Sequence, residues 1–128
     1  MNWLTSDMVE VFHRESLVHF GGAEGVRDNG LLQSALARPE NILAYEPEAT
    51  VFRLAAAYAH GIIKNHPFVD GNKRTGTLAA AAFLALNGFE IDCDEAEVVV
   101  VIIGVASSDV SESHLADWLQ RVSKQTTA

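Results

Sequence analysis

The stretch VFRLAAAYAHGIIKNHPFVDGNKRTGTLAAAAFLAL, residues 51–86, decides the fold. Its two ends are apolar and its centre is not. Val51, Leu54, Ala55, Tyr58 and Ile62 recur at helical spacing, and Phe52, Ala56, Ala59 and Ile63 mark a second face. A helix that is apolar nearly all round is buried at the centre of a fold. It has to stop by Asn65-His66, because Pro67 pushes the residue before it out of the α region. The second apolar segment runs from Leu78 to Leu86 through four successive alanines, Ala79 to Ala82, and Asn87-Gly88 closes it as a C-cap. The pattern predicts a central buried helix pair joined by the polar decapeptide HPFVDGNKRT, residues 66–75.

Outward from this pair the chain also reads as helical. A helix from Thr5 to Phe20, capped by Thr5 or Ser6, carries Val9, Phe12 and Ser16 on one face with Met8 and Val11 beside them, and Gly21-Gly22 stops it. Gly25-Val26-Arg27 reads as a turn, and Asp28 caps a short helix over Leu31–Ala37 ended by Pro39. Pro47 is placed as the first residue of the central helix, with Glu48 near its N-terminus. The run Val98–Ile103 has the propensity of a strand, but no partner strand is evident. The acids just before it suit a helix start, so a buried helix is expected. Ser111 caps a last helix bearing Leu115, Trp118, Leu119 and Val122, with Trp118 as a core anchor. The fold class expected is all-α, one domain over residues 1–128, with about six helices.

The 128 residues are 48% hydrophobic and carry a net charge of −8. That composition argues against disorder, and the acidity argues against direct nucleic-acid or anionic-membrane binding. One cysteine, Cys93, rules out an intrachain disulfide and a cysteine metal cluster. The first residues carry acids and no apolar core, so no signal peptide is expected. The longest apolar run is too short to cross a bilayer. A cytoplasmic protein is the expectation.

Against this acidic background Lys64, Lys73 and Arg74 make the decapeptide locally basic. Phe68 and Val69 are apolar and are expected to plug the loop into the core. The residues Asp70-Gly71-Asn72-Lys73-Arg74 then open a helix, whose first N–H groups lack internal partners and carry the positive end of the dipole. Such a start is an anion site. Gly71 lets a phosphate approach the backbone, Asn72 can donate from its amide, and Lys73 and Arg74 add full charges. Asp70 can cap the helix or hold a magnesium ion, which takes one or two carboxylates plus substrate phosphates. His66, whose ordinary pKa lies near neutrality, can act as general base. Catalytic roles therefore fall to His66 and Asp70, and nucleotide binding falls to Gly71, Asn72, Lys73 and Arg74. His13, His19, His60 and His114 have no such company and are read as structural or surface residues. No Walker loop or G-x-G-x-x-G is present.

At these residues the chain resembles the Fic/Doc superfamily in its Doc (death-on-curing) branch. Fic proteins carry H-P-F-x-x-G-N-G-R-x-x-R, and Doc toxins H-x-F-x-D-[AG]-N-K-R. Lys73 stands where Fic has its second glycine and Thr77 where Fic has its last arginine, and both departures point to Doc. The segments RDNGLLQSALARPEN and FRLAAAYAHGIIKNHPF are also Doc-like, and the likeness runs over most of the chain, residues 3–122. The resemblance implies a compact all-α fold and a toxin of a type II toxin–antitoxin system. It implies a Phd-like antitoxin whose disordered tail folds into a groove, and use of ATP with magnesium. Doc toxins phosphorylate a threonine of elongation factor Tu and halt translation, whereas Fic enzymes transfer AMP. By resemblance His66 is the base, Asp70 the magnesium-linked carboxylate, and Gly71, Asn72, Lys73 and Arg74 the phosphate-binding helix start. Adenylyl transfer and a non-catalytic binding module are the alternatives.

Overall fold

The computed structural model describes residues 1–126 and is built from six helices: α1 Ser6–Phe20, α2 Asn29–Tyr45, α3 Val51–Asn65, α4 Asn72–Leu86, α5 Glu95–Ala106 and α6 Glu112–Val122. The all-α expectation holds. Two three-residue strands, β1 Phe89–Ile91 and β2 Ser123–Gln125, pair antiparallel and tie the chain after α4 to the chain after α6. This ribbon was not expected from sequence. Each strand is too short to carry a pattern, and its partner lies far along the chain.

Helix α3 is the axis. From Phe52 to Ile63 every residue but Arg53 and His60 is buried, and α2, α4 and α6 pack around it. Small residues set the spacing. A Cβ on Gly61 would meet the Cβ of Ala35 at 3.2 Å, so α2 lies close to α3. A Cβ on Gly76 would meet Ile63 Cγ1 at 2.8 Å and the Ala59 carbonyl oxygen at 3.1 Å, so α4 lies closer still. The remaining core is filled by Tyr58, Phe68, Phe83, Leu115 and Trp118. The Trp118 indole N–H donates to Glu97 Oε2 at 2.7 Å, which satisfies its one polar group.

Several local expectations are corrected. Helix α2 does not end at Pro39 but continues to Tyr45 with Pro39 buried inside it. An interior proline costs about 3 kcal/mol. Here Leu32, Ala35 and Leu36 before it, and Ile42 and Leu43 after it, all pack on the core and hold both halves in line. Pro47 does not start α3. It lies in a turn closed by Ala49 N–H to the Glu46 carbonyl, and Thr50 caps the helix by accepting from Arg53 N–H at 3.1 Å. Hydroxyl capping here prevails over proline preference. Val98–Ile103 is helical, within α5, but buries only Ile102, with Val105 beyond it, while Val99, Val100 and Ile103 face outward. On α1 the buried residues are Val9, His13, Ser16 and Leu17, and Val11 is exposed.

A cluster of charges joins α2, α3 and α6. Glu112 bonds Arg38 through both carboxylate oxygens and accepts from Arg53 at 2.9 Å, and His60 Nδ1 lies 3.3 Å from it. Burial pushes Glu112 up, but the Arg38 bonds outweigh that and hold its pKa below the ordinary 4.5. Burial pushes His60 below its ordinary 6.5. The unfolded chain therefore binds more protons than the folded one on the acid side.

Gly76→Ala is expected to cost about 1–3 kcal/mol in urea denaturation, because Ile63 and the Ala59 carbonyl have to shift. Thermal stability is expected to fall as pH drops below 6.5 and fall further below 4.5. Glu112→Gln is expected to flatten the lower limb of that pH profile, read by the melting temperature across the range.

Candidate active site in the α3–α4 joint

Helix α3 ends at His66, which adopts the left-handed conformation with φ 54° and ψ 52°. Pro67 forbids continuation of the helix, and Arg27 makes the bend affordable. Its guanidinium donates to the His66 carbonyl at 2.7 Å and the Asn65 carbonyl at 2.9 Å, covering acceptors that the helix end leaves open. The Gly25-Val26-Arg27 segment, expected to be a turn, bends at Gly25 and Arg27 and lies beside the joint. Arg27 N–H and Asp28 N–H both donate to the Pro67 carbonyl, and Val69 N–H donates to that of Gly25. Val26 and Phe68 form an antiparallel bridge. Phe68 is fully buried, whereas Val69, expected beside it in the core, is half exposed.

Underneath lies His13. Its ring stacks on Phe68 with centroids 4.0 Å apart and planes at 12°. Its Nε2–H donates to the Asp70 carbonyl at 2.8 Å. Read from sequence as structural or surface, His13 is buried directly under the loop. The sequence signal available was weak: it lies one turn from Val9 and Ser16 on the buried face of α1.

Asp70 does not cap α4. Its Oδ1 accepts from Gly71 N–H at 2.9 Å, and Gly71 itself sits at the cap position with φ 77° and ψ 20°. No side chain among the described residues closes this helix start. The first N–H groups of α4 therefore open toward the site with the positive end of the dipole. Lys73 and Arg74 are exposed on the first turn, and the Arg74 guanidinium lies 4.3 Å over the Phe20 ring. Lys64, grouped with them by proximity in sequence, turns away. Its Nζ bonds the Ser108 hydroxyl and the Ala106 carbonyl at the end of α5.

Asn72 is placed differently from its neighbours. It is buried, and its carboxamide is engaged within the loop. Its Oδ1 accepts from Phe68 N–H at 3.0 Å. Its Nδ2 donates to the Phe68 carbonyl at 3.0 Å and faces His66 Nδ1 at 3.1 Å. The structure thus brings His66, Asp70, Gly71, Lys73 and Arg74 to one exposed joint, with Asn72 as the brace behind it.

Residues 3–84 match the model of the Fic/DOC family. The chain belongs to the Fic/DOC family. It is 30% identical over 122 residues to the protein kinase doc of Escherichia phage P1, covering 95% of this chain and 96% of that one. It is 35% identical over 113 residues to the toxin Doc of Mycolicibacterium smegmatis, covering 80% of this chain and 87% of that one. The family match ends within α4, so it takes in the joint and all three helices before it.

The turn carries a prediction on its glycines. Gly71→Ala is expected to cost about 1–2 kcal/mol, since its φ is left-handed but its neighbours leave room for a methyl group. Gly22→Ala is expected to cost more. At φ 120° its Cβ would stand 2.9 Å from Asp70 Oδ2 and 3.0 Å from Leu17 Cδ2. Urea denaturation of the two variants checks the order.

Proposed function

We propose that the protein is the toxin of a toxin–antitoxin pair and acts as a protein kinase, passing the γ-phosphate of ATP to a target hydroxyl. The reading is carried by the joint, which holds His66, Asp70 and an uncapped, twice-charged helix start together. Family membership and relatives named as a protein kinase and as a toxin support it. The target proposed is a threonine of elongation factor Tu, and the partner a Phd-like antitoxin whose tail folds on the toxin. Both come from the Doc resemblance. Among the described residues no helix is long and apolar enough to cross a membrane, which is compatible with the proposed cytoplasmic setting.

The α4 N–H groups, Lys73 and Arg74 draw the phosphates in and hold them. His66 takes the hydroxyl proton on Nε2 in the tautomer that carries its own ring hydrogen on Nδ1. The hydroxyl oxygen bonds to the γ-phosphorus, the bond from that phosphorus to the bridging oxygen breaks, and ADP leaves. No cluster of three metal-ligating side chains occurs among the described residues. A lone carboxylate fits magnesium, which takes its other oxygens from phosphates and water, and Asp70 would hold it. When bound, the ion would neutralise charge on the phosphates.

Lys73 and Thr77 stand one helical turn apart, and Thr77 Oγ1 donates to the Lys73 carbonyl at 2.8 Å. The lysine fills the hollow that a glycine would leave, and the threonine withholds a second arginine clamp. This favours presentation of the γ- rather than the α-phosphorus to His66.

Purified elongation factor Tu, incubated with the protein, magnesium and ATP labelled at either phosphate, is expected to gain γ-label. His66→Ala is expected to lose about 10²–10⁴-fold in rate. Incorporation of α-label would make the protein an adenylyltransferase. Growth arrest by His66→Ala at the unaltered level would instead support a binding module.

A further inference from the structure

We propose that Asn72 is a positioning residue that holds the proton of neutral His66 on Nε2, so that the ring rests as a hydrogen-bond donor rather than as a base. The backbone of Phe68 fixes the Asn72 carboxamide. Its N–H can only donate and its carbonyl can only accept, and both meet the Asn72 carboxamide at 3.0 Å. Turning the carboxamide over would oppose donor to donor and acceptor to acceptor. Its orientation is therefore set by main-chain groups that cannot exchange roles. With the amide pinned, Nδ2 presents an N–H to His66 Nδ1 at 3.1 Å. That nitrogen has to supply a lone pair. In a neutral imidazole the proton is then on Nε2.

The setting strengthens the lock. Asn72 is 3% exposed, so water competes poorly for its amide. Phe68, which orients the amide, is fully buried, stacked on His13 and bridged to Val26, so the brace cannot drift with the loop. His66 is held from its other side by Arg27 on its carbonyl.

The tautomer depends only on the loop's own hydrogen bonds. Its consequence rests on the kinase reading above. In this arrangement Nδ1 has its lone pair engaged by Asn72, and Nε2 carries a hydrogen. No lone pair is open to a hydroxyl proton. Base action at Nε2 requires the Asn72–His66 contact to open and the proton to pass to Nδ1, by way of water. Asn72 is then a brake on the base, where sequence alone made it a phosphate ligand.

The test is nitrogen NMR of the histidine rings in the full chain, without nucleotide, at about pH 8, above the ordinary imidazole range. His66→Gln assigns the signals. The expected result is a pyrrole-like Nε2 and a pyridine-like Nδ1 for His66, with a coupling through the hydrogen bond to Asn72 Nδ2. In Asn72→Ala both nitrogens are expected to move toward averaged values. A pyrrole-like Nδ1 or an averaged pair in the unaltered protein would overturn the proposal. So would an unchanged pattern in Asn72→Ala. If that variant does not fold, presence or absence of the coupling in the unaltered protein decides. No phosphoryl transfer enters the measurement, so failure of the kinase reading leaves its outcome intact.

Discussion

The close approach of α4 to α3 at Gly76 is the constraint on which the rest of the structure depends. Gly76 contributes no side chain there, and the Ala59 carbonyl and the Ile63 side chain occupy the space a methyl group would need. The chain has only the short segment between Asn65 and Asn72 in which to turn from α3 to α4. The joint from His66 to Gly71 makes this turn with two left-handed residues, His66 and Gly71, one at each helix end. His66 and Asp70 in this joint, and Lys73 and Arg74 on the first turn of α4, stay exposed above the buried seam.

A loop of this kind has no regular backbone ladder of its own, so its polar groups need partners from side chains and neighbouring segments. The braces come from three directions. The 25–28 segment pairs with the Pro67 and Val69 backbone, and Arg27 covers the carbonyls at the α3 end. His13 reaches from α1 to the Asp70 carbonyl and lies flat on Phe68. Asn72 closes the loop on itself through both polar groups of Phe68. With the backbone so held, Lys73, Arg74 and the Asp70 carboxylate can remain exposed without the joint losing its shape. Rigid support beneath an open polar surface is the arrangement that group transfer requires.

The charge cluster around Glu112 does a different job on another face of α3. It ties α2, α3 and α6 through one carboxylate shared by two arginines and a histidine. Because the group is half-buried, its protonation state is coupled to folding. The outward apolar residues of α5, Val99, Val100 and Ile103, belong to neither the core nor the joint.

Amino-acid pattern by itself determined the helix pair, its polar joint and the residues gathered there. Apolar periodicity, Pro67 and the Asn87-Gly88 stop are local signals, and local physics enforces them. It also determined the family, since the decapeptide is contiguous. Tertiary structure decided what depends on distant partners. Pro39 stays inside α2 because packing on both sides outweighs one lost hydrogen bond. β1 finds β2 only when α4 and α6 have both packed on α3. His13 becomes part of the site because α1 crosses beneath the joint, which no spacing within residues 66–75 could reveal. Lys64, near the decapeptide in sequence, is removed from it because the last turn of α3 faces α5. The role of Asn72 turned on the same distinction. Its presence in the motif was legible, but whether its amide faces a ligand or the loop is settled only by where the Phe68 backbone lies.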